Sequence, residues 1–304
     1  MTAPVVQRVC PLCGRDDAQP SLSKAGLQLV RCRHCDMVYV ANVGSGFVTG
    51  EYYDEAGSEY YLSPAKLESD YADVRFEREL RWFRKHCSTG SVLDVGCSSG
   101  AFLFQLNRRF PGAYQILGTD VSGAPLDYAE SRGVPVARGN FLEQDFSGRK
   151  FDAITFWAVL EHLSEPRLFL EHASILLQSG GLCFVLVPNF KSLATRLLGA
   201  RYRYIYPQHL NYYTPATLRK LVSESFTIVE TATTHFNPVV IWQDWRRSGA
   251  EVSNASRADL LKKTTALKQN PWMRPVKQAY RLAESLLGTI GLADNLLFVL
   301  RRKS

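Results

Sequence analysis

No apolar run in the chain approaches the roughly 18 residues that a membrane-spanning helix needs. The first residues, Met1-Thr2-Ala3-Pro4, lack the basic and apolar blocks of a secretion signal. An even cysteine count is missing as well: there are seven, and four of them form two C-x-x-C pairs. That usage speaks against a secreted disulfide framework and for a reducing compartment with a metal site. A soluble, cytoplasmic protein is the expectation. What is present is ordinary for a globular chain, with 46% hydrophobic and 21% charged residues over 304 positions. That length accommodates one sizeable α/β domain and a small accessory module.

The net charge of +7 is uneven: from Arg246 to Ser304 there are 12 Lys and Arg against 4 Asp and Glu. Such a basic end can meet nucleic-acid phosphates or an anionic lipid surface, or it can be a solvated helix face. Val276, Ala279, Tyr280, Ala283, Leu286 and Leu287 recur at helical spacing with Lys277, Arg281 and Glu284 between them, which predicts a helix lying on a protein surface. The aromatic–basic interleaving of single-strand binders is absent, so a nucleic-acid partner is the less favoured reading.

Cys10-Pro11-Leu12-Cys13 and Cys32-Arg33-His34-Cys35 are two knuckles separated by 18 residues. Each C-x-x-C turn aims two sulfurs at one point, and Cys10, Cys13, Cys32 and Cys35 together match tetrahedral zinc with no position left for water. The metal is therefore expected to be structural. The intervening length suits a β-hairpin whose second strand is Leu27-Gln28-Leu29-Val30. A redox pair or chance buried cysteines would explain one knuckle and not two at this spacing. Beyond it, Tyr52, Tyr53, Tyr60, Tyr61 and Tyr71 crowd a stretch that leads into a helix-like run over 67–86. They form either a lid over a substrate pocket or the packing of a linker.

The large domain opens with the short apolar strand Ser91–Val95 and the small-residue turn Gly96-Cys97-Ser98-Ser99-Gly100, followed by a helix over 101–110. This is the first β–turn–α unit of a doubly wound sheet, where the backbone approaches a cofactor closely. Asp94 stands two residues before the first glycine; it would repel a pyrophosphate but suits a cofactor with a cationic amino group. Asp120, at the tip of the second strand, can accept hydrogen bonds from both ribose hydroxyls. After the third strand, Val134–Ala137, Asn140 and Phe141 offer an amide and an aromatic face for adenine. The fourth and fifth strands, Phe151–Trp157 and Leu182–Val187, are nearly continuously apolar, as strands buried on both faces are.

The segments 93–100, 118–122 and 160–163, then 176–181, 187–189 and 209–214, resemble in order the motifs of class I S-adenosylmethionine-dependent methyltransferases. With the ribbon in front, the chain resembles the zinc-ribbon group of the type 11/12/23 small-molecule methyltransferases. The resemblance covers roughly residues 90–230. It implies a Rossmann-like, seven-stranded doubly wound sheet, with a sixth strand at Ser225–Glu230 and a seventh at Asp294–Leu300 returning antiparallel between the fifth and sixth. It implies S-adenosylmethionine as cofactor, held by Asp94, Gly96, Cys97, Ser98, Ser99, Gly100, Asp120, Val121, Asn140, Phe141 and Trp157. Two positions depart from the family: Ser98 stands where glycine is usual, and Asn140 where an acid is frequent. The division expected is a zinc ribbon over 1–43, a Tyr-rich linker and helix over 44–87, and the methyltransferase domain over 88–304 with a basic helical insertion at about 241–288.

Methyl transfer is a displacement at an activated carbon, so positioning and desolvation carry most of the work. A hydroxyl acceptor must also lose its proton, for which a histidine is the usual base, with a rate rising through the ordinary histidine range. His209, on a loop after the fifth strand, is the stronger candidate. His162, after the fourth, would orient the cofactor or cap a helix. Some small-RNA and quinone-pathway methyltransferases carry Glu-x-x-Glu-His here and hold a divalent ion. In this chain the first acid is replaced by Ala158, and Glu161, His162 and His209 are a thin ligand set, so no catalytic metal is expected. The favoured acceptor is a hydroxyl, or a carbon, of a small molecule, sugar or lipid-linked compound. RNA methylation and a non-catalytic binding role are the alternatives.

Overall fold

The computed structural model describes residues 4–24, 26–247, 252–269 and 274–303. Its strands are β1 (Val5–Gln7), β2 (Ala18–Lys24), β3 (Leu27–Cys32), β4 (Val38–Val40), β5 (Asn42–Gly44), β6 (Gly90–Val95), β7 (Tyr114–Asp120), β8 (Val136–Arg138), β9 (Phe151–Trp157), β10 (Leu177–Pro188), β11 (Asn211–Tyr212), β12 (Phe226–Thr234) and β13 (Asn295–Arg302).

Seven of them form one mixed sheet in the order β12-β13-β10-β9-β6-β7-β8. β13 runs antiparallel to both its neighbours, while β10, β9, β6, β7 and β8 are mutually parallel. The chain thus has an α/β fold whose sheet resembles the Rossmann-like sheet of methyltransferases, with the reversed strand where it was expected. Leu93, Ile154, Cys183 and Val185 enter one apolar cluster, and Val92, Ala153, Leu182 and Phe184 enter another. Alternate residues of each strand therefore feed cores on opposite faces, which accounts for the unbroken apolar runs. The helix Ala101–Arg109 follows β6 and ends on Arg108 and Arg109, which favour its C-terminal dipole.

Two expectations are corrected. The run over 67–86 is two helices, Pro64–Asp70 and Glu77–His86, broken where Phe76 takes a left-handed φ of 59°. The break is held by Asp70, which is buried and paired with Lys66 and Arg75. The helix Arg274–Thr289 exists, but its supposed polar residue Glu284 is buried against Arg78, with Nη2 and Oε2 2.5 Å apart. Leu286, assigned to the packed face, is exposed. An ion pair outweighs the apolar pattern there. The side chains of Val276 and Ala279 lie outside the described residues, as do 248–251 and 270–273 of the expected insertion. Its described parts are the helices Pro238–Arg246, Asn254–Gln269 and Arg274–Thr289.

A second sheet has the order β11-β4-β3-β2. Three strands come from the cysteine module, and the fourth, β11, begins two residues after His209. Asn211 pairs with Tyr39 and Tyr212 with Val38. The module is thereby joined edge-on to the segment that carries the candidate base.

Candidate functional site

The turn after β6 has positive φ at Gly96 (72°), Ser98 (50°) and Gly100 (75°). A Cβ on Gly96 would lie 2.6 Å from Val159 Cγ2, and one on Gly100 2.8 Å from Ala129 Cβ, so glycine is required at both. Ser98 adopts the same left-handed region as a non-glycine residue, and its amide donates to Asp120 Oδ2 at 2.8 Å. Asp120 Oδ1 accepts from the Ser122 amide at 3.0 Å. Each oxygen keeps a lone pair for a further donor. Burial raises the Asp120 carboxyl, against which the Ser122 and Ser98 amides work. Asp94 lies behind the turn, accepts from Thr155 Oγ1 at 2.6 Å, and is pushed by burial to about 7.

The other expected cofactor residues divide. Cys97 is buried with its sulfur where a Cβ on Gly118 would fall, 2.5 Å away, so its side chain is packing and only its backbone faces the turn. The Ser99 carbonyl accepts from Tyr71 Oη at 2.5 Å. Val121 is exposed and lies against Gly50, whose added Cβ would come within 3.3 Å of it. Asn140 Oδ1 accepts from the Leu142 amide at 3.1 Å, and its Nδ2 donates to Glu143 at 3.0 Å. Phe141 does not present the expected stacking face: it is 3% exposed, with its ring 4.8 Å from His172 and 5.6 Å from Phe169. Its position one residue past a polar cap turns the ring into the core. Trp157 packs on Phe102 at 5.1 Å and has no acceptor for its buried indole N–H among the described residues.

Glu161, His162 and His209 converge, with one ligand atom of each within 4.8 Å of the others. Glu161 is 1% exposed, neither carboxylate oxygen has a partner among the described residues, and burial pushes the group to about 8. His162 does not cap a helix. Its Nδ1 lies 2.9 Å from the Gln208 carbonyl and 3.1 Å from Tyr53 Oη. The two imidazoles meet edge to face at 4.8 Å. Burial depresses His162 to about 4. It drives His209, 3% exposed, well below the ordinary range, with His162 and Arg257 adding to the effect. Both rings are therefore neutral near pH 7, and the expected rise through the ordinary histidine range is replaced by a base that is already free. One carboxylate and two imidazoles are also donors that suit a divalent ion.

The tyrosine stretch reaches both halves of this site. Tyr53 gives its carbonyl to Ser122 Oγ at 2.9 Å and its hydroxyl to the His162 contact, while Asp54 Oδ1 accepts from the Gly123 amide at 2.7 Å. Tyr52 Oη lies 2.5 Å from Gln208 Nε2.

Two residues that the sequence did not single out hold the histidine loops. Arg8 is buried; its Nη1 donates to the Val40 and Leu210 carbonyls at 3.2 and 3.3 Å. Its Nη2 donates to the Ser164 carbonyl at 2.7 Å and Asn211 Oδ1 at 2.9 Å. Asn211 Nδ2 in turn donates to the Leu160 and Leu163 carbonyls at 3.0 and 2.7 Å. The amides of Leu210 and Asn211 both donate to the Glu161 carbonyl. The cysteine module thus braces both loops.

The four knuckle cysteines form one cluster, with Cys10 and Cys35 sulfurs 3.4 Å apart and Cys13 and Cys32 sulfurs 3.6 Å apart. A tetrahedral zinc with Zn–S of about 2.3 Å sets sulfurs about 3.8 Å apart, so the cluster is consistent with a metal-binding motif. Burial pushes the Cys10 and Cys35 thiols up, and four thiolates there need a cation to offset that cost.

Among known proteins, the chain is similar to several methyltransferases. A ubiquinone biosynthesis O-methyltransferase of Bradyrhizobium diazoefficiens is 30% identical over 168 residues, 51% of this chain and 64% of that protein. One from Dinoroseobacter shibae is 31% identical over 184 residues, 53% of this chain and 69% of that protein. The chain thus spans less than two thirds of the first of these, and 40% of the mitochondrial counterpart from Dictyostelium discoideum. A Thermotoga maritima structure, described as an SAM-dependent methyltransferase and possible histamine N-methyltransferase, superposes with a TM-score of 0.55. It is 15% identical and covers 84% of this chain and 99% of its own, a likeness of fold. The profile of a methyltransferase domain family matches residues 69–230, just over half of the chain. The chain belongs to that methyltransferase domain family.

Proposed function

We propose that the protein is an S-adenosylmethionine-dependent methyltransferase acting on a hydroxyl, or a carbon, of a small-molecule, sugar or lipid-linked acceptor. The observation that carries this is the turn over 96–100: it is closed to side chains at Gly96 and Gly100 and faces a half-buried carboxylate, Asp120, with free lone pairs. Bound S-adenosylmethionine would supply an activated methyl carbon. Asp120 would take the ribose hydroxyls, the amides of the 96–100 turn would line the amino-acid end, and Asp94 would balance its ammonium charge. Asn140 would contact adenine through polar atoms and Phe141 through its backbone alone, since its ring is occupied. Gly96, Cys97, Ser98, Ser99, Gly100 and Val121 complete the contact set, and Trp157 edges it.

On the acceptor side, a neutral imidazole nitrogen of His209 would hold the hydroxyl proton as the oxygen attacks, with His162 fixing the loop through the Gln208 carbonyl. The tyrosine stretch would act as the lid, because it touches both the 120–123 loop and the histidines. Cys10, Cys13, Cys32 and Cys35 would hold a structural zinc.

Calorimetry should show binding of S-adenosylmethionine and its demethylated product and none comparable of NAD. Asp120→Ala should weaken it by roughly 1.5–3 kcal/mol, the worth of paired hydrogen bonds to a carboxylate. Labelled cofactor incubated with fractionated cell extract should transfer label into small molecules or glycolipid. Label in RNA would overturn the acceptor assignment, and unchanged affinity in Asp120→Ala would overturn the cofactor site.

A further inference from the structure

Beside the histidine pair lies a cavity of about 360 Å³, open to solvent and large enough for part of a small molecule. Its walls include Phe47, Tyr52, Tyr206, Gln208, Asn254 and Arg257. Two of these walls touch the histidines of the site already described. Tyr206 packs on His209 at 4.3 Å, and the Gln208 carbonyl meets His162 Nδ1 at 2.9 Å. Most of the cavity is aromatic or neutral, and Arg257 is its one cation among the described residues.

Among the described residues, nothing balances the charge of Arg257. Its guanidinium stacks over the Tyr206 ring at 3.8 Å, and Nη2 donates to the Arg203 carbonyl at 3.0 Å. Nε is buried without an acceptor, and no carboxylate pairs with this residue among the described residues. Its neighbours are treated differently. Arg203 is held by both oxygens of Asp244, Arg75 by Asp70, and Arg78 by Glu284. A partly buried guanidinium without an anion is costly, and its planar fork is shaped for a carboxylate or phosphate. The cation is close enough to the histidines to contribute to the depression of both. It sits in the first turn of the helix Asn254–Gln269, where Ser253 Oγ caps the Ser256 amide at 3.2 Å. That end of a helix adds potential of the same sign.

We infer that this cavity takes a negatively charged group of the methyl acceptor, a carboxylate or a phosphate, with Arg257 as its counter-ion. The inference rests on the methyl-transfer reading above and narrows its acceptor to an anionic compound whose reacting atom reaches the histidines. Bound in this way, the anion neutralises Arg257, and the ring walls cover the apolar part next to it.

The probes are benzoate and phenyl phosphate, with neutral benzyl alcohol as the comparison. They are titrated by NMR into the full chain saturated with S-adenosylhomocysteine. At least one anion should bind about tenfold or more tighter than the alcohol, as a charge-assisted bidentate contact provides. The stronger of the two identifies the group. Arg257→Gln should bring the preference below about threefold, and Arg257→Lys should restore part of it, since charge survives while the fork is lost. S-adenosylhomocysteine affinity should be equal in all three proteins, which shows that the variants remain folded. Equal binding of the three probes, no binding by either anion, or a preference that survives in Arg257→Gln would overturn the inference and leave the methyl-transfer reading standing. Failure of the wild type to bind S-adenosylhomocysteine would instead remove that reading itself.

Discussion

Replacing Arg8 by methionine isolates the brace between the cysteine module and the histidine loops, because the chain length is kept and only the guanidinium is removed. Four acceptors lose a donor: the carbonyls of Val40, Leu210 and Ser164, and Asn211 Oδ1. The Leu210 carbonyl keeps the Val40 amide at 2.9 Å, so the heaviest losses fall on Ser164 and Asn211. An acceptor left buried without a partner costs roughly 1–3 kcal/mol, and removing a buried charge returns some of that. The net expectation is a loss of about 2–4 kcal/mol, or a fall in Tm of about 3–6 °C for a chain of 304 residues. The damage should be local as well as global. In hydrogen-exchange mass spectrometry, the segment over 209–212 should lose protection, since the Leu210 and Asn211 amides bond the Glu161 carbonyl. Protection over β6 should hold until the global transition. Arg33→Met, on an exposed side chain whose only ion pair is with Asp17 among the described residues, is the control. A Tm within about 2 °C of wild type, with protection over 209–212 intact, would refute the brace.

The purified protein should contain about one equivalent of zinc, and Cys10→Ser with Cys32→Ser should abolish it in elemental analysis. Through Arg8, the same variant should loosen segment 209–212, whereas a metal-free wild type prepared anaerobically would end the zinc reading. Glu161 has a folded value of about 8 against 4.5, so the folded chain keeps a proton that the unfolded chain loses. Its contribution is complete below about pH 4.5 and is lost as pH rises through 8, at about 1.4 kcal/mol per unit. In chelator-treated protein, urea midpoints should fall across that window in wild type and stay flatter in Glu161→Gln; parallel profiles would be contrary. His209→Ala should bind cofactor normally and lose turnover by roughly 10²–10⁴-fold. The wild-type rate should show no inflection at the ordinary histidine value, because burial holds this ring neutral; retained activity in His209→Ala would leave catalysis to positioning alone.

The sheet was legible because its evidence is redundant along the chain. Each strand from β6 to β10 announces itself by a short apolar run, each is bounded by glycine or a polar turn, and the order follows once the turn over 96–100 is recognised. Boundaries moved where a tertiary partner extends a strand: β12 runs on to Thr234 because β13 pairs with it as far as Asn295. The helix pattern failed where charge competed with it. Phe76 breaks the run over 67–86 beside the Asp70 ion pairs, and Glu284 turns inward because Arg78 waits there. Periodicity records which residues are apolar and is silent about a charge that finds its partner some 200 positions away.

The site was legible in its backbone and much less so in its polar contacts, and the reason is physical. Gly96 and Gly100 are fixed by local steric demand, which a sequence carries in the residue itself. The state of a polar side chain depends on whether water reaches it, and that is decided by elements brought in from elsewhere. Glu161 was visible as an acid next to a histidine. Its burial without a partner among the described residues follows from the packing of the 160–163 loop under segment 209–212. Arg8 looks like any basic residue ahead of a knuckle until β11 joins β4 and closes carbonyls around it. Phe141 shows the same effect in reverse, since an aromatic beside a polar turn is drawn inward when Phe169 and His172 offer it a pocket. Arg257 belongs to a stretch that reads only as basic, yet stacked on Tyr206 beside the histidines it becomes the one charge there that the described protein leaves unanswered. The same residue type is a solvated surface charge in one place and a specificity element in another, and the difference is the acceptor that the fold withholds.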